Sequence, residues 1–263
     1  MRSNNKRREK NKKEIDAYPR WLICCEGKSE VIYLKNLVEL LSREHGIHHN
    51  IQFGIKAQCE GDLCGECKRQ HMSLIEQADI CQRMINAEET LVVFDEDAKG
   101  ENKKAQKNNF KEAILYAENM DYLNAYWSSP SLEYWFAIHG KDYIIGADDA
   151  KLKEKAIALI EENYKETHCS ENKLGNCYNN SCSGEVTCKK ALDKPYFNSF
   201  NCLGGLDALE RAIRHGEKSV EDNMIDDKYD FKNMNCCTNM HELVKKLCKY
   251  FEDIENSREG DND

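Results

Sequence analysis

The stretch "TLVVFDED", Thr90 to Asp97, runs the apolar residues Leu91 to Phe94 directly into three consecutive carboxylates. A short run of β-branched and aromatic residues bounded by charge reads as a strand buried on both faces. Side chains alternate along a strand, so Asp95 and Asp97 share a face while Glu96 points to the other. Two oxygens on one face can reach one cation, and Glu96 is expected to be dispensable for any chemistry done there.

Working outward, "RWLICC" (20–25) reads as a first buried strand, then a Glu26-Gly27 turn and the helical segment "SEVIYLKNLVELLSREHG" (29–46). Leu34, Leu37, Val38 and Leu41 fall on one face, with Ser29 able to cap the start and Gly46 to end it. "NIQFGIKAQ" (50–58) is a second strand and "SLIEQADICQRMINA" (73–87) a helix. "NNFKEAILYAENMD" (108–121) is another helix, with Phe110, Ala113, Ile114 and Ala117 inward. "LNAYWSS" (123–129) is a fourth strand, and Pro130 and Ser131 open a helix in "PSLEYWFAIHG". Strands alternating with helices imply an α/β fold, a mostly parallel sheet flanked by helices. In such sheets ligands bind outside the carboxyl ends of the strands. Glu26, Asp95 with Asp97, and Glu133 all follow strand ends and are expected to converge there.

The remaining chain divides by composition. Residues 1–20 hold Arg2, Lys6, Arg7, Arg8, Lys10, Lys12 and Lys13 and read as a basic flexible arm. Residues 21–140 form the core, with a cysteine-rich insert at 58–71; residues 141–205 add a helix and a second cysteine-rich insert; residues 206–263 return to helical periodicity and pack back on the core. The chain has 263 residues, about 40% hydrophobic, and a net charge of −9, which argues against a broadly basic nucleic-acid surface but leaves room for a local one. No apolar run approaches the roughly 18 residues of a membrane span, so a cytoplasmic protein without a membrane partner is expected. Fourteen cysteines in a reducing compartment suit thiols or metal ligands better than disulfides.

"CEGDLCGECKRQH" sets Cys59, Cys64, Cys67 and His71 at spacings that fit tetrahedral Zn²⁺. A second structural zinc is expected among His168, Cys169, Cys177, Cys182 and Cys188. Cys24 and Cys25, on the first strand, read as small core residues. For Glu26, Asp95 and Asp97, hard oxygen donors favour Mg²⁺, or Mn²⁺ in its place. Lys28, His139 and His241 are further candidates for phosphate contact, and Tyr134, Trp135 and Phe136 for base stacking, although burial is the simpler reading of all but the lysine.

"LICCEGKSEVIYL", "VVFDEDA", "SSPSLEYWFAIH" and "CCTNMHELVKKL" resemble, in that order, successive motifs of RloB-like proteins, a branch of the Toprim fold associated with bacterial antiphage defence. The resemblance runs over nearly the whole chain. It implies a Mg²⁺-dependent nuclease in which Glu26 is metal ligand or general base and Asp95 and Asp97 are ligands, with Glu30 and Glu133 matching further acidic positions. It also implies a nucleic-acid substrate, RNA and perhaps tRNA ahead of DNA, and an ATPase partner. The chain departs from the pattern in its cysteine clusters and in "CCTNMH". A DNA endonuclease with the same site, and a non-catalytic, zinc-stabilised module that binds nucleic acid or the ATPase, are the competing expectations.

Overall fold

The computed structural model describes residues 18–55, 70–96, 103–146, 148–164 and 203–260. Strand β1 (Trp21–Cys25) is buried along its whole length and leads through Glu26 and Gly27 into α1 (Lys28–Glu44). β2 (Ile51–Ile55), α2 (Gln70–Ile85), β3 (Glu89–Asp95), α3 (Lys103–Ala117), β4 (Leu123–Ser129) and the short α4 (Leu132–Ala137) follow. Then come α5 (Asp149–Tyr164), α6 (Gly205–Glu221), the hairpin β5 (Met224–Ile225) and β6 (Lys228–Tyr229), β7 (Cys237–Thr238) and α7 (Met240–Gly260).

The five-stranded sheet has the order β2-β1-β3-β4-β7. β2, β1, β3 and β4 are mutually parallel, and β7 adds an antiparallel edge through Ser128–Thr238 and Ser129–Cys237. The expected α/β class and mostly parallel sheet therefore hold. Both faces are covered, which is why the strands read as continuous apolar runs rather than alternations. Leu91 and Val93 join one core with Ile23, Cys25 and the inner faces of α1, α4, α5, α6 and α7. Val92 and Phe94 join a second with Leu22, Cys24 and the inner faces of α2 and α3. Phe110, Ala113, Ile114 and Ala117 are buried there, as their spacing predicts.

Gly46 ends α1 as expected. It takes φ +63°, its N–H reaches the Arg43 carbonyl at 3.2 Å, and Ile47 N–H reaches Ser42 at 3.0 Å, the paired bonds of a Schellman cap with Ile47 buried behind it. Ser29 is a correction: the N-cap is Gly27, and Ser29 already lies inside the first turn. Two further features went unread in the sequence. The hairpin turns on Asp226 and Asp227, both at positive φ, the geometry of a type I′ connection. β7, inside "CCTNMH", is two residues long, so no periodicity can reveal it. It is fixed by polar groups instead. Thr238 Oγ1 donates to Trp127 O at 2.9 Å, while Asn239 takes Trp127 N–H at 2.6 Å and gives its amide to Ala125 O at 3.0 Å.

The proposed basic arm up to residue 17 and most of both cysteine-rich inserts lie outside the described residues. Among the described residues no helix is long and apolar enough to cross a membrane.

Candidate active site at the carboxyl edge of the sheet

β1 is flanked by β2 on one side and β3 on the other, so the chain leaves β1 toward one neighbour and returns on the other. The crevice above β1 and β3 is the topological switch point, where connecting segments diverge and leave room for a ligand. Glu26 and Asp95 occupy that position. Cys25 pairs with Val93, and Glu26 N–H donates to Val93 O at 3.0 Å, so Glu26 sits one step beyond the β1–β3 ladder. Asp95 is the last residue of β3 and faces the side of α1 and α4. Its Oδ2 accepts the Leu132 backbone N–H at 3.1 Å, which orients the carboxylate at the start of α4.

Glu30, in the first turn of α1, is buried, and its pKa is pushed up to about 7. Burial is the main cause. Backbone N–H groups of Glu30 and Gly27 act in the opposite direction, and the negative charges of Glu26 and Glu133 add to the rise. That electrostatic contact brings Glu26, Glu30 and Glu133 into one neighbourhood, although they come from a strand end and two helices. Gly27 leaves room for Glu30: a Cβ there would lie 2.7 Å from Glu30 Oε2, so the carboxylate end would have to shift.

Glu96 takes the opposite side, as alternation predicts. It is buried beside α3, where Ser129 Oγ donates to its Oε2 at 2.6 Å and Lys107 Nζ lies 3.5 Å from its Oε1. Sequence reasoning found neither partner; Ser129 and Lys107 are 33 and 11 residues away, and only the fold joins them. Leu132 N–H was likewise invisible.

Asp97 follows β3 outside the described residues, as do Cys59, Cys64, Cys67, His168, Cys169, Cys177, Cys182 and Cys188. His71 lies in the first turn of α2, but its side chain is not described, nor is that of Lys28. Among the described residues no group of three or more His, Cys, Asp or Glu side chains is placed to hold a metal ion. The donors at this edge are nonetheless all hard oxygens, and the negative charges of Glu26 and Glu133 that add to the burial-driven rise of Glu30 are what a divalent cation offsets, so the residues present fit Mg²⁺ or Mn²⁺ rather than a soft metal.

The supporting candidates resolve as core. Tyr134, Trp135 and Phe136 are buried and offer no ring to a base. His139 is buried with its pKa lowered to about 4, chiefly by burial, and its Nδ1 bonds Trp135 O at 2.8 Å. His241, also lowered to about 4 by burial, packs against Gly216 of α6. Both imidazoles are neutral at pH 7 and give no charge to a phosphate. Cys24 and Cys25 are buried, and burial pushes the Cys24 thiol up to about 12.

The fold and its edge thus define an α/β protein with a mostly parallel sheet and a group of carboxylates at the switch point. The family model of RloB-like proteins matches residues 21–247, and the chain belongs to that family. Comparisons with curated proteins and with solved structures find no match.

Proposed function

We propose that the chain is a Mg²⁺-dependent, Toprim-type nuclease that hydrolyses phosphodiester bonds of RNA, tRNA included, as a cytoplasmic effector of antiphage defence working with an ATPase partner. The observation that carries this reading is the electrostatic grouping of Glu26, Glu30 and Glu133, with Asp95 bonded to the start of the helix that carries Glu133, where the strand order reverses. Like charges held together in a buried setting cost stability, and folds keep such arrangements where a ligand offsets them. When bound, a divalent ion supplies charge neutralisation at the scissile phosphate and a more acidic water.

The chain's own groups have separable tasks in this proposal. Asp95, oriented by Leu132 N–H, is a ligand together with Asp97. Glu26 serves as ligand or as the base that takes a proton from the attacking water. Glu30, whose pKa lies near 7, tunes the charge of Glu26 from behind Gly27. The reading is tested by incubating the purified chain with total RNA, tRNA and duplex DNA in Mg²⁺ and in EDTA. Cleavage of RNA in Mg²⁺ alone, abolished by Glu26→Gln without change in the thermal melt, is the expected result. Activity unchanged by Glu26→Gln sinks the assigned site, and binding without turnover in either Mg²⁺ or Mn²⁺ replaces the nuclease with a binding module.

A further inference from the structure

Net charge is −9 over the chain, yet one flank of α3 is cationic. Lys104, Lys107 and Lys111 recur at spacings of three and four residues, which puts them on one side of the helix. That flank lies away from Phe110, Ala113, Ile114 and Ala117, which pack into the core. Lys107 reaches over the edge of the sheet to within 3.5 Å of Glu96, the immediate neighbour of Asp95. Lys111 Nζ stands 5.6 Å from the Phe231 ring centroid, and the exposed Lys232 follows on the same loop. Lys104 and Lys111 are exposed, and neither forms an ion pair among the described residues. Helix stability gives no reason for this placement. The first turn of α3 holds no acidic residue and two lysines, Lys103 and Lys104, whose charge works against the helix dipole.

We propose that this lysine row is the track on which the phosphate backbone of the nucleic-acid substrate lies as it enters the acidic edge, an inference that rests on the nuclease reading above. Positions 104 to 111 span about 10 Å of helix axis, room for about three phosphates at roughly 3.4 Å per strand. Charge complementarity supplies the attraction, and the row's end at Lys104, in the first turn of the helix that follows β3, lies toward the carboxyl edge where β3 ends at Asp95. A carboxylate-lined site repels a polyanion, so a neighbouring cationic rail is what lets substrate approach it. Three amines on one helix read no base sequence, and the track is therefore expected to be indifferent to sequence.

The test uses the full chain carrying Glu26→Gln, so that binding is read without cleavage, and a fluorescent 20-nucleotide single-stranded RNA titrated by anisotropy across a salt series. Lys107 is left in place because it neutralises buried Glu96. Lys104→Ala with Lys111→Ala is expected to weaken binding on the order of tenfold near 0.1 M salt and to lower the slope of log K against log salt by about 1.4, about 0.7 per lost contact. Lys249→Ala, an exposed lysine on α7, is the control and leaves both unchanged. Unaltered affinity and slope in the double variant overturn the proposal, as does equal affinity for an oligoglutamate of matched charge, which assigns the row to an acidic protein. In the otherwise wild-type chain the double variant raises KM and spares kcat. Lysine-dependent binding by a chain that cleaves nothing keeps the track and removes the nuclease; cleavage with lysine-independent binding does the reverse.

Discussion

Asp95 and Glu96 are adjacent in sequence, equal in charge, and meet opposite environments. Glu96 is neutralised: Ser129 donates to one oxygen and Lys107 stands by the other, in a pocket 3% exposed. Asp95 is held at the start of α4, the helix that carries Glu133, on the side where burial first, and the charges of Glu26 and Glu133 second, push Glu30 up to about 7. One side of the sheet uses a carboxylate to hold α3 to β4. The other collects carboxylates at a cost to stability, and that imbalance separates the candidate site from a buried ion pair that serves the fold.

The comparison can be broken by exchanging charge for shape on either side. Asp95→Asn keeps an oxygen for Leu132 N–H but removes the charge, and is expected to lower kcat on RNA by about 10²- to 10⁴-fold with little change in melting temperature. A comparable fall from Glu96→Gln would erase the distinction. Glu96→Ala strands Lys107 and Ser129, and denaturant unfolding is expected to show a loss of about 2–3 kcal/mol, discounted for a lysine that is 36% exposed, while kcat is retained.

Glu30→Gln acts in the other direction. Because the folded pKa, about 7, lies above the ordinary 4.5, the native state binds the extra proton between those values. Stability contributed by the protonated form is therefore full below about pH 4.5 and is lost as pH rises through about 7. The glutamine variant is expected to gain about 1–2 kcal/mol at pH 7 and to lose that pH slope. Mg²⁺ is expected to flatten the same slope in the wild-type chain; a slope indifferent to Mg²⁺ speaks against a cation near Glu30. The smallest effect belongs to Gly27→Ala, whose Cβ would press on Glu30 Oε2 at 2.7 Å. Side-chain adjustment limits the expected loss to under about 1 kcal/mol, with a measurably weaker Mg²⁺ affinity by calorimetry as the sharper readout.

Much of this was legible in one dimension. The strands "RWLICC", "TLVVFDED" and "LNAYWSS" were recognisable because burial on both faces demands unbroken apolar runs, and α3 because its inward residues keep helical spacing. Alternation alone sent Asp95 and Glu96 to opposite faces, since a period of two is a property of the extended backbone. Gly46 was readable as a stop because a left-handed cap favours glycine. Ser29 was misread because the chain begins its helix two residues earlier, with Glu30 rather than a cap hydroxyl drawing the first N–H groups. β7 was silent because a two-residue edge strand is held by side chains from Thr238 and Asn239 reaching β4, more than a hundred residues away.

Residue types and local periodicity were enough to determine the α/β class, the opposite faces of Asp95 and Glu96 and the hard-oxygen chemistry of the candidate donors, because these depend on spacing along the backbone and on residue type. The strand order that makes β1 and β3 neighbours, the burial that raises Glu30, and the pairing of Glu96 with Ser129 and Lys107 came only with the tertiary structure. Each is a relation in space between distant segments, and pKa values and ion pairs follow distance and solvent exclusion rather than position in the chain.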